Sequence, residues 1–456
     1  MKYEQYSPSI IRWNHEYPTH WSCEKAKRFF ANPKELNKGN EESNVLSLTL
    51  RGVIRNNGEK PIGLSPSDYS TYQIFDSGEL VFKLIDLNNI STSRVGMVPE
   101  KGIMSSAYIR FVPRSDMNIK YFYYQYYDWY KRNIFNGLGE GVRQTLSGND
   151  LRNLEILIPP REEQDQIVRY LDWQVSKINK LIAAKKKQIA LLRERAQKLI
   201  QDVVFHGITN GRALDTYDGL WIGSIPSDWN VKRIKNLFSL RDERNHMPLT
   251  DVNLISLYTS LGVVQNCDVE YKSGNKARTA ENYKIVHNGD IVVNIILCWM
   301  GAVGLSKYNG VTSPAYDIYV PNSQASSRYY HYLFRLPVFS GECKKVGHGI
   351  MAMRWRTYSP EFRSIYVPVP PYEEQEQIAD WLDKHMSEIE KLIEPFKQEI
   401  DTLHELRTRL ISDVVTGQID VRGIEVPDFD MVEEIDSDEV NLDDEDAAEE
   451  TEEQEE

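Results

Sequence analysis

One stretch of 47 residues occurs twice in this chain, and it constrains the fold more than any other feature. Ile158 to Val204 reads IPPREEQDQIVRYLDWQVSKINKLIAAKKKQIALLRERAQKLIQDVV. Val369 to Val415 reads VPPYEEQEQIADWLDKHMSEIEKLIEPFKQEIDTLHELRTRLISDVV, at a constant shift of 211 residues and without a gap. Pro159 matches Pro370, Glu163 matches Glu374, Gln164 matches Gln375 and Ile178 matches Ile389. Repetition on this scale means one supersecondary unit used twice.

Each copy carries a heptad of apolar residues. In the first copy the seam is Leu171, Val175, Ile178, Ile182, Ile189, Leu192, Ala196, Leu199 and Val203, interrupted at Lys185. In the second it is Leu382, Met386, Ile389, Ile393, Phe396, Ile400, Leu403, Leu410 and Val414, interrupted at Arg407. A 3.5-residue period sustained this long predicts coiled-coil helices, and two seams of equal length predict that they pair with each other. The Pro-Pro pair before each copy presets a first helical turn and closes the preceding strand. Glu162-Glu163 and Glu373-Glu374 then suit the positive end of the helix dipole. Pro395 removes one backbone hydrogen bond and predicts a kink or short break.

The segments between the helices echo each other too. Pro18 precedes Trp21 as Pro226 precedes Trp229. Tyr72 to Gly78 matches Tyr283 to Gly289 at the same shift of 211, with Glu79 and Asp290 next in line. Gly102 to Pro113 resembles Gly310 to Pro321, and both end in the alternating aromatic and aliphatic residues of a strand. Helices are predicted over 119–132 and 328–339. The fold class is α+β: two pseudo-repeated domains separated by two long helices that pair as an antiparallel coiled coil. Different loops on one framework are what two recognition modules on one scaffold require.

The formal charge of −13 hides a division. From Asp428 to Glu456 there are 17 acidic residues and no Lys or Arg, leaving 54 basic against 50 acidic residues elsewhere, a net of +4. The tail is too charged and too poor in aromatics to bury a core, and disorder is expected. It reads as a solubilising appendage or as an internal competitor for a basic surface; the body is positive enough to carry patches that bind phosphate. Cys23, Cys267, Cys298 and Cys343 lack CxxC spacing, so neither a zinc site nor a disulfide framework is expected. The N-terminus has no basic-then-apolar leader and no apolar run would span a bilayer, so a cytoplasmic protein without membrane contact is expected.

Before each Pro-Pro lies a loop of glycines and cations, Gly137 to Ser147 and Lys344 to Arg356. Glycine lets backbone approach a phosphate, and arginine binds phosphate or guanine through two hydrogen bonds. Arg143 and Arg354 stand 211 apart and fit phosphate contacts and loop braces equally well. Gln144, Lys344, Lys345, His348 and Arg356 are not shared, which suits contacts particular to each half. Lys83, Arg94 and Lys101 in the first domain, and Lys276 and Arg278 in the second, complete the candidates. No GxxxxGK[ST] loop, HExxH pair or Asn-Pro-Pro-aromatic tetrapeptide is present, so no catalytic or metal-binding residue is assigned.

Pro159-Pro-Arg-Glu-Glu-Gln164 with Ile167, and Pro370-Pro-Tyr-Glu-Glu-Gln375 with Ile378, open helices in a globular–helix–globular–helix order. In this the chain resembles the specificity subunits of type I restriction–modification systems, over residues 1 to about 424. Gly102 to Tyr108 and Gly310 to Tyr316 are weaker matches. The resemblance implies target-recognition domains at 1–158 and 211–368, a central helical region at 159–210 and a distal one at 369–424; the acidic tail expected on charge to be disordered, at 425–456, departs from the family's pattern. The resemblance also implies double-stranded DNA, two methyltransferase subunits and restriction subunits as partners. S-adenosylmethionine, ATP and Mg²⁺ would belong to those partners, with no cofactor in this chain. The competing expectations are a coiled-coil assembly adaptor with duplicated protein-binding domains, and an enzyme whose motifs are unfamiliar.

Overall fold

The computed structural model describes residues 2–56, 68–88, 92–139, 144–259, 261–266, 279–349 and 355–433. The chain divides into two units, Met1–Lys186 with Phe396–Asp436, and Lys187–Pro395 with the remaining C-terminal residues.

In the first unit a four-stranded antiparallel sheet has the order Phe30–Ala31, Ile109–Pro113, Leu80–Phe82, Val95–Met97. Gln73–Phe75 pairs with Gly102–Met104, Leu46–Thr49 with Gly52–Arg55, and Ser22–Lys25 with Glu155–Ile158. The second unit repeats every one of these pairings. Its sheet runs Phe238–Arg241, Tyr316–Pro321, Ile291–Asn294, Val303–Leu305. Lys284–Val286 pairs with Gly310–Thr312, Ile255–Tyr258 with Gly262–Gln265, and Asn230–Arg233 with Tyr366–Val369.

An aromatic helix covers each sheet. Asn118 caps Ile119–Lys131 by accepting from the Lys120 amide, and Ser326 caps Ser327–Phe334. In the first, Tyr121, Phe122, Tyr126 and Trp129 are buried, and Tyr126 meets Phe82 and Trp129 edge-on at centroid distances of 5.0 Å. Such edge-to-face pairs add to the area that the rings bury.

The two repeats form helices Arg161–His206 and Tyr372–Val415, here the first and second long helices. The second continues through Pro395, so the break expected there does not occur. Ile167, Val168 and Leu171 from the start of the first helix share the core of the first unit with Ile411, Val414 and Val415 from the end of the second. In the second unit Val203, Val204 and Phe205 share a core with Ile378 and Leu382. Each unit thus takes the beginning of one long helix and the end of the other. Of the seam residues, Leu171, Ile178, Ile182, Ile189, Leu382, Ile393 and Ile400 are buried. Leu192, Leu199, Ile389, Leu403 and Leu410 are half-buried.

Residues 425–433, assigned to the tail on charge, are instead held against the first long helix: Arg169 donates to the Val426 carbonyl and Asn179 to that of Val432. Satisfied backbone groups and a buried Val426 outweigh the local charge. Among the described residues no helix is long and apolar enough to cross a membrane.

Candidate functional site

The start of each long helix is a polar clamp. The Glu163 carboxylate, nearly buried, accepts from Tyr3 Oη at 2.6 Å and Trp21 Nε1 at 3.0 Å, and lies 2.7 Å from His20 Nε2. In the second unit Glu374 accepts from Trp229 Nε1 at 3.0 Å and from Arg212. Beside it Gln164 donates to the Pro159 carbonyl and accepts from the Asn118 amide, the N-cap of the aromatic helix. Gln375 repeats this with Pro370 and Ser326. The Glu-Glu-Gln run is therefore more than a response to the helix dipole. Its second Glu grips the tryptophan that lies three residues after Pro18 or Pro226, and its Gln joins one helix start to another. The sequence displayed both partners but not their pairing.

Both interruptions of the apolar seam are contacts between the long helices within the first unit. Arg407, buried, donates to Asn179 Oδ1 at 3.0 Å. Lys185 meets Glu399 at 2.6 Å and lies 4.9 Å above the Phe396 ring. As one number rises the other falls, so the two segments run in opposite directions. A buried polar pair such as Arg407–Asn179 fixes register and direction where an apolar seam alone would slip, and the more exposed Lys185–Glu399 pair agrees with that register.

Acids at matching positions of the two sheets are also committed. Glu79 takes two hydrogen bonds from the buried Arg110, at 2.6 Å each, and Glu35 and Asp76 complete that guanidinium's partners. Asp290 receives Arg241, whose other partner is Glu243. Gln73 and Lys284, 211 apart, diverge: Gln73 donates to the Tyr108 carbonyl, whereas Lys284 pairs with Asp317 at 2.8 Å.

Lys83, Arg94 and Gln144 gather around one turn of the first unit, with different roles. Arg94 is only 2% exposed and donates to the carbonyls of Asp86 and Leu87. Burial lowers its pKa. Its expected surface role is corrected to a brace, because the guanidinium is itself buried and the carbonyl of buried Leu87 requires a donor. Lys83 is half-buried, its pKa lowered by burial and then by the nearby Arg94 charge. Gln144 adopts φ 45° and its carbonyl accepts from the Leu87 amide. Lys101 is exposed and stands elsewhere, next to Asn44. The neighbours of Lys83 and Gln144 line a groove of about 300 Å³ with Asn32, Lys34, Gln73, Ser106 and Tyr108.

In the second unit Lys344, Lys345, His348 and Arg356 meet at one edge. The exposed lysines end the helix Pro337–Val346; Lys344 lies 5.3 Å above the Trp299 ring and Lys345 is 3.5 Å from Glu342. His348 and Arg356 exchange backbone hydrogen bonds of 2.9 and 2.8 Å, and His348 Nε2 is 3.1 Å from Glu361. Arg143, Lys276, Arg278 and Arg354 lie outside the described residues. A separate open groove of about 600 Å³ is lined by Lys232, Arg233, Asn236, Gln324 and Tyr366. Lys34, Lys232 and Arg233 were not singled out from sequence; nothing in their neighbours distinguishes them from solvated charges. Among the described residues no group of three or more His, Cys, Asp or Glu could hold a metal ion.

A family model described as the type I restriction modification DNA specificity domain matches residues 26–191 and again 226–400. Two specificity subunits of type I restriction enzymes from Methanocaldococcus jannaschii are similar to the chain. MjaX is 22% identical over 64% of this chain and 66% of its own length, and MjaVIII is 22% identical over 60% and 64%. The chain therefore spans slightly less than two thirds of these relatives. Among solved structures, a chain from a study of complex assembly and conformational transition of the type I R-M system shares the fold. Its TM-score is 0.56 at 13% identity, over 88% of this chain and 99% of that one.

Proposed function

Because the chain belongs to the type I restriction modification DNA specificity domain family, we propose that it is the DNA-reading subunit of a type I restriction–modification complex and carries out no reaction itself. Its domains are 1–158 and 211–368, each reading one half of an asymmetric, split site in double-stranded DNA. The helical regions at 159–210 and 369–424 pair as an antiparallel coiled coil. That pair sets the distance between the readers and docks two methyltransferase subunits, with restriction subunits outside them. S-adenosylmethionine, ATP and Mg²⁺ are held by those partners.

The observation that carries this reading is a duplicated sheet framework bearing unlike surface chemistry. Among the described residues every strand pairing of one unit recurs in the other, while Gln73 in the first stands where Lys284 pairs with Asp317 in the second, and the second carries Lys344, Lys345, His348 and Arg356 at one edge. Lys83, Lys101, Gln144 and Arg143 are the proposed DNA contacts of the first domain; Lys276, Arg278 and Arg354 join those of the second. A helix of 46 residues rises about 69 Å, enough for readers about one DNA turn apart, roughly 34–36 Å.

The test is a heptad inserted into both long helices at the level of the Lys185–Glu399 pair. It lengthens the pair by about 10 Å, or about three base pairs at 3.4 Å each. Mapping methylated adenines should then show both half-sites unchanged and the spacer longer. An unchanged spacer refutes the ruler. Absence of salt-sensitive duplex binding refutes DNA reading and favours an adaptor.

A further inference from the structure

Gln73, at the start of strand Gln73–Phe75 in the first unit, is only 2% exposed. Its Nε2 donates to the Tyr108 carbonyl at 2.6 Å and approaches that of Ser105 at 3.5 Å. A carbonyl only accepts, so these partners fix which end of the amide is the nitrogen. Among the described residues Oε1 then receives no hydrogen bond, yet it is not sealed from solvent. A buried amide rarely leaves its oxygen unmatched. The opening that Gln73 lines is the groove of about 300 Å³.

The groove suits one small, flat, polar molecule. Its volume stands at the lower end of ligand sites. Leu84, Ile85 and Ile109 give it an apolar wall, and Asn32, Ser106 and Thr145 add neutral polar groups. Lys34, exposed, is the one cation among the lining residues, and none of them is acidic. Gly148 leaves room for Asn32, since a Cβ there would strike the Asn32 amide. At the matching place in the second unit stands a donor. Lys284, 211 positions after Gln73, is already paired with Asp317 at 2.8 Å.

We propose that this groove binds one nucleotide whose base carries an exocyclic amine. The amine donates to Gln73 Oε1, the ring lies on the apolar wall, and Lys34 meets the phosphate. Cytosine and adenine offer such an amine; uracil and thymine put a carbonyl in its place, and that oxygen would oppose the oxygen of Gln73. Gln73 is too deep for a stacked, paired base, so the nucleotide is either free or an unpaired position of a strand. The strand as source rests on the reading of 1–158 as a DNA reader; the free nucleotide does not.

Calorimetric titration of the full chain with cytidine 5′-monophosphate and uridine 5′-monophosphate compares an amine with a carbonyl at one ring position. The cytidine form should bind about tenfold more tightly. Gln73→Lys keeps a donor for the Tyr108 carbonyl but removes the acceptor, and should bring the two affinities together. Lys34→Ala, at an exposed site, should weaken both several-fold and keep their ratio. Gly148→Ala, which displaces Asn32, should weaken the cytidine form, so the groove stays testable if Gln73→Lys melts early. Equal binding of the two nucleotides, no binding of either at millimolar concentration, or affinities unchanged in Gln73→Lys and Gly148→Ala would overturn the proposal. A duplex with one unpaired cytosine, set against the same duplex fully paired, separates the sources. Tighter binding of the unpaired form, lost in Gln73→Lys, places the nucleotide in a strand. Equal binding of the duplexes with the mononucleotide preference intact places it free in solution. Absence of any duplex binding, with that preference intact, would refute DNA reading and uphold the groove.

Discussion

Replacing Glu163 by alanine should unfasten the first unit. The carboxylate takes two donated hydrogen bonds, from Tyr3 and Trp21, and faces His20 Nε2 at 2.7 Å, with the carboxylate, Tyr3 and Trp21 all buried. Hydrogen bonds to a charged group contribute about 1.5–3 kcal/mol each, and a buried donor left without an acceptor loses about 1–3 kcal/mol. The losses are not additive, so the expected loss is about 3–5 kcal/mol, as for other buried pairs broken on one side. Glu163→Gln keeps one acceptor oxygen and should lose less than half of that. Glu162→Ala, one residue earlier and exposed, should stay within about 0.5 kcal/mol. Hydrogen exchange read by peptide on the full chain distinguishes the cases. Protection should fall in peptides around Trp21 and in 119–131, while peptides around Trp229 keep theirs. A loss under about 1 kcal/mol for Glu163→Ala, or an equal loss for Glu162→Ala, refutes the clamp.

Further outcomes are expected. Gly417 has φ +74° and a Cβ there would strike the Pro18 ring, so Gly417→Ala should lower stability by at least about 1 kcal/mol in urea denaturation. Gly423→Ala, in open space, should be neutral. His331 is pushed down to about 4 by burial, with Arg335 and Lys307 adding to it, and its Nδ1 accepts from the Leu305 amide. Its folded pKa lies below the unfolded value, so stability is full above about pH 6.5 and falls as pH drops towards 4, by roughly 3 kcal/mol in all. His331→Gln should flatten that slope in a pH series of melts. Lys344→Ala with Lys345→Ala, assayed in the assembled complex, should reduce the salt slope of DNA binding by up to about 2 if both meet phosphates. An unchanged slope removes them from the interface.

The repeat, both long helices and the paired strand segments could be read directly because they depend on local periodicity and on gap-free self-similarity. Partners distant in sequence could not. Glu163 and Trp21 both stood out, yet only folding brings residues 142 apart within reach. Lys185 and Arg407 looked like defects of the seam because a heptad count sees one helix at a time, and each acquires a partner only across the pair. Arg94 was misread because charge in a loop carries no sign of burial. The strap over 425–433 was hidden for the opposite reason: its apolar anchors, Val421 and Val426, are single residues in acidic surroundings, and the donors that hold it belong to a helix more than 250 positions earlier.

The exchange of helix ends between the units bears on biosynthesis. Apart from the C-terminal residues, everything the second unit needs lies in one uninterrupted stretch, Lys187–Pro395, whereas the first also needs Phe396–Asp436. On the ribosome the module made first is therefore finished last. Its aromatic core waits, partly bare, for Ile411, Val414 and Val415 to emerge. Such a delay invites aggregation of the nascent chain, and a stop codon near position 396 would leave an intact second half attached to a first half unable to close.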